Sequence, residues 1–211
     1  MIFAILAIIL SYLAGSIPFA YIVVKLMKGT DIRTVGSGNV GFTNATRSLG
    51  IGKGLIVLFA DAGKGVAAVL AISKLGMIQD NSLLHFMPVI CGLAAIIGHI
   101  WTVFLKFKGG KGVATSLGIF ISIHWIAGLI ALAVWLIIVA ITRYVSLGSI
   151  LMCIAFLMVA FVTGTGNVTY EVNIWAVRIM VIVVTLIVTY KHRDNIQRLI
   201  KGEERKFGKK E

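Results

Sequence analysis

The sequence predicts an all-α, polytopic helical membrane protein, and three observations carry that prediction. The chain is 59% hydrophobic and only 13% charged over 211 residues, against about 25% charged in an ordinary soluble domain, and its mean hydropathy is +1.00. Several apolar runs reach the ~20 residues a helix needs to cross a bilayer core of ~30 Å. Finally, 20 Lys and Arg stand against 8 Asp and Glu, a net charge of +12. The basic residues gather in alternate loops, the bias expected of cytoplasmic segments beside anionic headgroups. A soluble domain is excluded, and no soluble basic region exists to carry nucleic-acid binding. Cys91 and Cys153 lie inside apolar runs, where packing explains them better than a disulfide or a metal pair.

Residues 2–24 form the first predicted span. No Lys or Arg precedes them and no cleavage site follows, so a span is expected rather than a signal peptide. Lys25, Lys28, Arg33, Arg47 and Lys53 then crowd one side, which places that side in the cytoplasm and the N-terminus outside. The second span, 54–76, carries Asp61 and Lys64, three apart and therefore on one helix face. They read as a structural pair near its inner end. Residues 77–86 form an outer loop without Lys or Arg. The third span, 87–105, has His99 near its inner end, about 10 Å below Lys106 at helical rise.

KFKGGKG (106–112) lies inside. A short fourth span, 113–126, and a fifth, 127–142, go out and return to Arg143. The sixth runs over 146–163. The outer loop 164–173 carries Glu171 and a glycosylation-type sequon at Asn167–Thr169. The seventh span is 174–190. The tail 191–211 is basic, and Ile196, Leu199 and Ile200 have the spacing of a short surface helix. About seven transmembrane helices, an outside N-terminus and a cytoplasmic C-terminus result. No domain boundary or internal repeat is visible, so residues 1–211 read as one domain. Lys74 and Arg178 are the exceptions to the charge bias, each near a span end where it can snorkel.

Three polar clusters then share the cytoplasmic side: 36–47, 106–112 and 191–204. In GSGNVGFTNATR (36–47), Gly36, Gly38 and Gly41 permit backbone turns that other residues resist. Ser37, Asn39, Thr43, Asn44 and Thr46 offer hydrogen-bond groups, and Arg47 offers a planar fork suited to phosphate. Each cluster alone is also explained by positive-inside bias with turn glycines; three on one face point to a phosphate site. GSGNVG matches G-x-G-x-x-G, but no strand precedes it and no βαβ unit surrounds it. GGKG and DAGKG lack the spacing of a P-loop. There is no metal-ligand spacing, no nucleophile elbow, and no H-x4-D pattern of the kind many CoA-dependent acyltransferases use. A reaction here relies on positioning and charge neutralisation of an activated substrate.

GSGNVGFTNATR, the G-H…F-K-G-G-K-G run (98–112) and KHRDNIQRLIKGEE (191–204) closely resemble the three motifs of the bacterial acyl-phosphate:glycerol-3-phosphate acyltransferase family, PlsY. DAGKG (61–65) resembles a further family feature. Phe42 stands where the resemblance leads one to expect alanine, and the acidic residue of the third motif aligns as Glu204, beside Glu203. The resemblance implies a multi-pass enzyme of the bacterial inner membrane with its site on the cytoplasmic face. It moves a fatty acyl group from acyl phosphate to the sn-1 hydroxyl of glycerol 3-phosphate, giving lysophosphatidic acid and inorganic phosphate at the first step of phospholipid synthesis. No CoA thioester, acyl carrier protein, cofactor or metal is expected, and membrane phospholipid is the remaining partner.

Residue by residue, Ser37 and Arg47 are expected to bind a substrate phosphate, with Lys111, His192 and Asn195 completing the catalytic set. Gly36, Gly38, Asn39, Gly41, Thr43 and Asn44 shape the first loop or contact substrate. Lys106, Gly109, Gly110, Gly112, Arg193 and Glu204 fall to the substrate site, with lipid headgroups as the other reading of Lys106, Lys108 and Arg193. Lys191 and Arg198 divide the same way. His99 anchors the second loop, touches substrate, or packs as a hydrogen-bonded histidine. Trp101, Trp125, Trp135 and Trp175 read as packing and interface anchors. A transporter of a phosphorylated metabolite is the main alternative; it predicts polar groups at midplane and related halves, and vesicle uptake distinguishes it. A lipid-binding scaffold would leave the Ser/Asn/Gly loop unexplained.

Overall fold

The computed structural model describes residues 1–77, 83, 85–163 and 172–208. Every regular element among them is helical: α1 (Ile2–Ser16), α2 (Phe19–Lys28), α3 (Phe42–Leu49), α4 (Ile51–Ala67), α5 (Ser73–Gly76), α6 (Met87–Ile100), α7 (Val113–Ile123), α8 (Trp125–Thr142), α9 (Val145–Val162), α10 (Ile174–Lys191) and α11 (Arg193–Ile200). Among the described residues six helical segments are long and apolar enough to cross a membrane. The predicted fourth span, 113–126, is the short α7, whose 11 residues reach only about 16 Å. Most of the two predicted outer loops, including Glu171 and the sequon, lies outside the described residues.

The first predicted span is not continuous. Pro18 has no N–H to donate and stops α1, which leaves the Ser16 carbonyl without a helical partner and the Ile17 carbonyl with only the Phe19 N–H, at 3.1 Å. Thr102 Oγ1 donates to Ser16 O at 2.6 Å, and Lys64 Nζ donates to Ile17 O at 3.0 Å. Side chains from two other spans thus complete the backbone hydrogen bonding at the break, as a membrane interior requires. The second span contains one π-helical turn, Ala68–Ile72, between α4 and α5.

Small residues set the packing. Gly15 of α1 lies against the Ala95 backbone, and Gly98 of α6 against Tyr12 and Ser16, so these helices meet backbone to backbone. Gly65 and Gly118 do the same for α4 and α7. The main core lies between α6, α7, α9 and α10, around Phe120 and Phe156, whose rings stack at 3.9 Å. Leu26, Ile141, Val162 and Leu186 point outward, where lipid would cover them. On one face, the loops before α3 and α7, the α8–α9 corner and the tail after α10 come together around a cavity of about 620 Å³.

Candidate active site

The first loop is folded around Asn44, which is 1% exposed. Its Oδ1 accepts from Ser37 N at 3.0 Å, and its Nδ2 faces the carbonyls of Ile32, Val35 and Asn39 at 3.0–3.1 Å. Gly36 takes φ +56° directly against this side chain, and a Cβ there would strike Asn44 Oδ1. Asn44 is therefore saturated internally and stands off the cavity wall. What it builds is a turn that puts Ser37, Asn39 and Thr43 on the wall, with Arg47 one turn along α3. Arg47 Nη2 donates to Arg205 O at 3.4 Å. The ring of Phe42 meets Phe207 at 6.0 Å, so the unexpected phenylalanine packs on the tail.

The second loop turns back over the end of α6. Gly109 N donates to Ile100 O and Gly110 N to His99 O, each at 3.1 Å. The helix of the third predicted span therefore stops at Ile100, and His99 touches the loop instead of lying about 10 Å below it. Asp61, ten residues into α4, reaches the same level and also lines the cavity. Gly112 at φ +83° then starts α7. Lys111 lies on the wall; Lys106 does not, and Gly110 packs behind it.

His192 sits at the α10–α11 junction, 3% exposed. Its Nδ1 lies 2.8 Å from Val188 O. A nitrogen facing a carbonyl must carry the proton, so Nε2 is left as an acceptor. Burial, and then the Lys111 cation, push its pKa down to about 4. Lys111 Nζ donates to Asn195 Oδ1. Asn195 Nδ2 donates to Glu204 Oε1 at 2.6 Å, Ser146 Oγ to the same oxygen at 2.7 Å, and Arg198 Nε to Oε2 at 2.9 Å. Burial opposes the Glu204 charge, but these three bonds outweigh it and hold the carboxyl below its ordinary range. The network singles out Glu204, not the exposed Glu203, as the acid of the third cluster. Burial also lowers Lys111, against the pull of Glu204, to about 8.

Most of the residues singled out in the sequence meet on this wall: Ser37, Arg47, Lys111, His192 and Asn195 all line it, as do Arg193 and Glu204. The sequence reading passed over Ser146 and Ser149, which step down α9 at three-residue spacing toward Met152. Hydroxyls at i and i+3 in an apolar run were the available signal. Trp135 also lines the cavity, with its indole N–H donating to Ser149 at 3.4 Å, whereas the rings of Trp101 and Trp175 lie under Lys191 and Arg178.

The electrostatics favour anions. Eight Lys or Arg side chains line the cavity against three Asp or Glu. First-turn residues of α3, α7 and α11 line it too, so the positive ends of three helices face it. Away from this polar rim the wall turns apolar, through Leu58, Leu117, Leu132, Trp135 and Met152, where α7 packs against both α4 and α8. The chamber can hold phosphate at one end and hydrocarbon at the other.

Residues 5–202 match the family model for Glycerol-3-phosphate acyltransferase. The chain is 44% identical to the glycerol-3-phosphate acyltransferase of Aquifex aeolicus over 205 residues, covering 97% of this chain and 99% of the relative. It is 42% identical to that of Desulforudis audaxviator over 203 residues, covering 96% and 95%. Among solved structures it is similar to PlsY, an integral membrane glycerol 3-phosphate acyltransferase. The glycerol 3-phosphate form gives a TM-score of 0.84 at 41% identity, covering 97% of this chain and 96% of that one. The lysophosphatidic acid form gives 0.83 at 40%, covering 97% and 95%. The chain therefore belongs to the glycerol-3-phosphate acyltransferase family, the integral membrane enzymes that acylate glycerol 3-phosphate in phospholipid synthesis.

Proposed function

We propose that the acyl donor is an acyl phosphate, that the acceptor is the sn-1 hydroxyl of glycerol 3-phosphate, and that the products are lysophosphatidic acid and inorganic phosphate. The observation that carries this reading is the single chamber that joins three helix N-termini and an excess of cations to an apolar arm. Two phosphates in one site need neutralisation of this extent. An acyl chain needs the arm, which lies between membrane helices.

The reaction requires the hydroxyl oxygen to bond to the acyl carbonyl carbon while the bond from that carbon to the phosphate oxygen breaks. Lys111, Arg47 and the helix ends stabilise negative charge as phosphate departs. Ser37 and the first-loop amides hold one phosphate. His192, neutral at working pH, offers Nε2 to orient a glycerol hydroxyl without carrying a formal charge. The hydroxyl proton passes to the departing phosphate, so no covalent enzyme intermediate forms. The crowding of basic loops on the cavity face supports a cytoplasmic site in the bacterial inner membrane. The donor is used without CoA, carrier protein or metal.

The test is phosphate release by the purified protein in lipid or mild detergent, given an acyl phosphate with and without glycerol 3-phosphate. Release that depends on glycerol 3-phosphate, persists with chelator and without CoA, and falls in Lys111→Ala is expected. Release from a folded sample that ignores glycerol 3-phosphate would refute the proposal.

A further inference from the structure

Three ionisable side chains sit beneath the polar loops with no role in the chemistry above. Asp61 is 2% exposed, Lys64 6% and His99 7%. Asp61 Oδ1 lies 2.9 Å from Lys64 Nζ and 3.6 Å from His99 Nδ1. The same lysine holds the Ile17 carbonyl at the break between α1 and α2. A buried pair of this kind adds little net stability over apolar residues of the same volume. What it does provide is a fixed direction for the imidazole.

That direction matters because of what the other edge of the ring meets. A Cβ built on Gly110 would run into His99 Nε2 and into the carbonyl of Val40. Val40 belongs to the first loop, and Gly110 directly precedes Lys111. The His99 carbonyl also takes the Gly110 N–H. The first and second loops therefore meet at His99, and the ring is wedged between their junction and the Asp61 carboxylate.

We propose that Asp61 and His99 are positioning residues for acyl transfer: Asp61 fixes the His99 ring, and the ring fixes where Lys111 stands relative to Ser37 and Arg47. Lys64 clamps the pair to the broken first span. This rests on the reading of Lys111 as an anion-holding cation.

Two measurements on the full chain in mild detergent test it. The first is the rate at which a small amine-reactive reagent modifies Lys111, followed by peptide mass spectrometry. The second is kcat and KM for glycerol 3-phosphate-dependent phosphate release. The variants are His99→Ala, His99→Asn, and Asp61→Asn combined with Lys64→Met, which leaves no uncompensated buried charge. His99→Ala and the double variant are expected to speed Lys111 modification about tenfold and to lower kcat by about 10²-fold, the cost of an ångström-scale misplacement. KM should move less than threefold and the thermal midpoint should hold. His99→Asn, whose amide nitrogen replaces Nδ1 but cannot reach the junction of the two loops, should lose as much kcat as His99→Ala. Modification of Lys111 within twofold of the wild-type rate in folded variants overturns the proposal, as does a kcat loss that only follows a fall in thermal midpoint. Absence of turnover in the wild type would strike the reaction reading, while the modification rates still decide the positioning claim.

Discussion

Glu204→Gln isolates the network that holds Lys111. The glutamate accepts three hydrogen bonds, from Asn195, Ser146 and Arg198, and Asn195 in turn accepts from Lys111. Glutamine keeps one acceptor oxygen, but its amide confronts the Arg198 donor. The bonds from Asn195 and Ser146 drop from charge-assisted to neutral, a loss of about 1 kcal/mol each. The half-exposed Arg198 pair contributes about 0–1 kcal/mol more. The sum, about 2–3 kcal/mol, corresponds to about 30- to 150-fold in kcat/KM if it is lost from the transition state. Phosphate release at saturating acyl phosphate measures it. Ser146→Ala should cost about fivefold, roughly 1 kcal/mol. Because both changes act on one side chain, the double variant should lose less than the product of the two single losses. Activity of Glu204→Gln within twofold of wild type, or strict additivity with Ser146→Ala, would refute the idea that this carboxylate positions Asn195 and Lys111.

Lys111, with its pKa lowered to about 8, is a cation below that pH and loses its charge above it. The kcat/KM profile of the free enzyme should therefore fall through about pH 8, and Lys111→Arg should remove that limb; a flat profile to pH 9.5 would contradict it. Arg47→Lys replaces a fork by a point charge and should raise KM for glycerol 3-phosphate about tenfold, roughly 1.4 kcal/mol, with the thermal midpoint unchanged. Asn44→Ala strands the Ser37 N–H and three carbonyls. At about 1–3 kcal/mol per buried group, it should destabilise the protein by at least about 3 kcal/mol, visible as a lowered thermal midpoint in detergent.

The apolar segments and the three polar clusters were legible because hydropathy and loop glycines are local properties of the chain. The surface helix α11 was legible for the same reason, through Ile196, Leu199 and Ile200. The break at Pro18 was present in the letters but masked by an otherwise unbroken apolar run, since satisfaction of its carbonyls depends on Thr102 and Lys64 from other spans. Asn44 looked like any other loop amide; only its burial shows that the loop is folded around it. Ser146 reaches Glu204 across 58 residues of sequence, a contact no local pattern encodes. His99 was misplaced because helical rise was carried past Ile100, where the two glycine amides fold back and end the helix.

The brevity of α7 sets the depth of the second loop. α8 starts where α7 ends and runs for 18 residues, about 27 Å, whereas α7 runs for 11, about 16 Å. The loop that carries Lys111 therefore starts about 11 Å further along the bilayer normal than the corner at which α8 ends, if both helices stand upright. An anion drawn to that level leaves bulk water behind, and each charge around it acts through a lower dielectric.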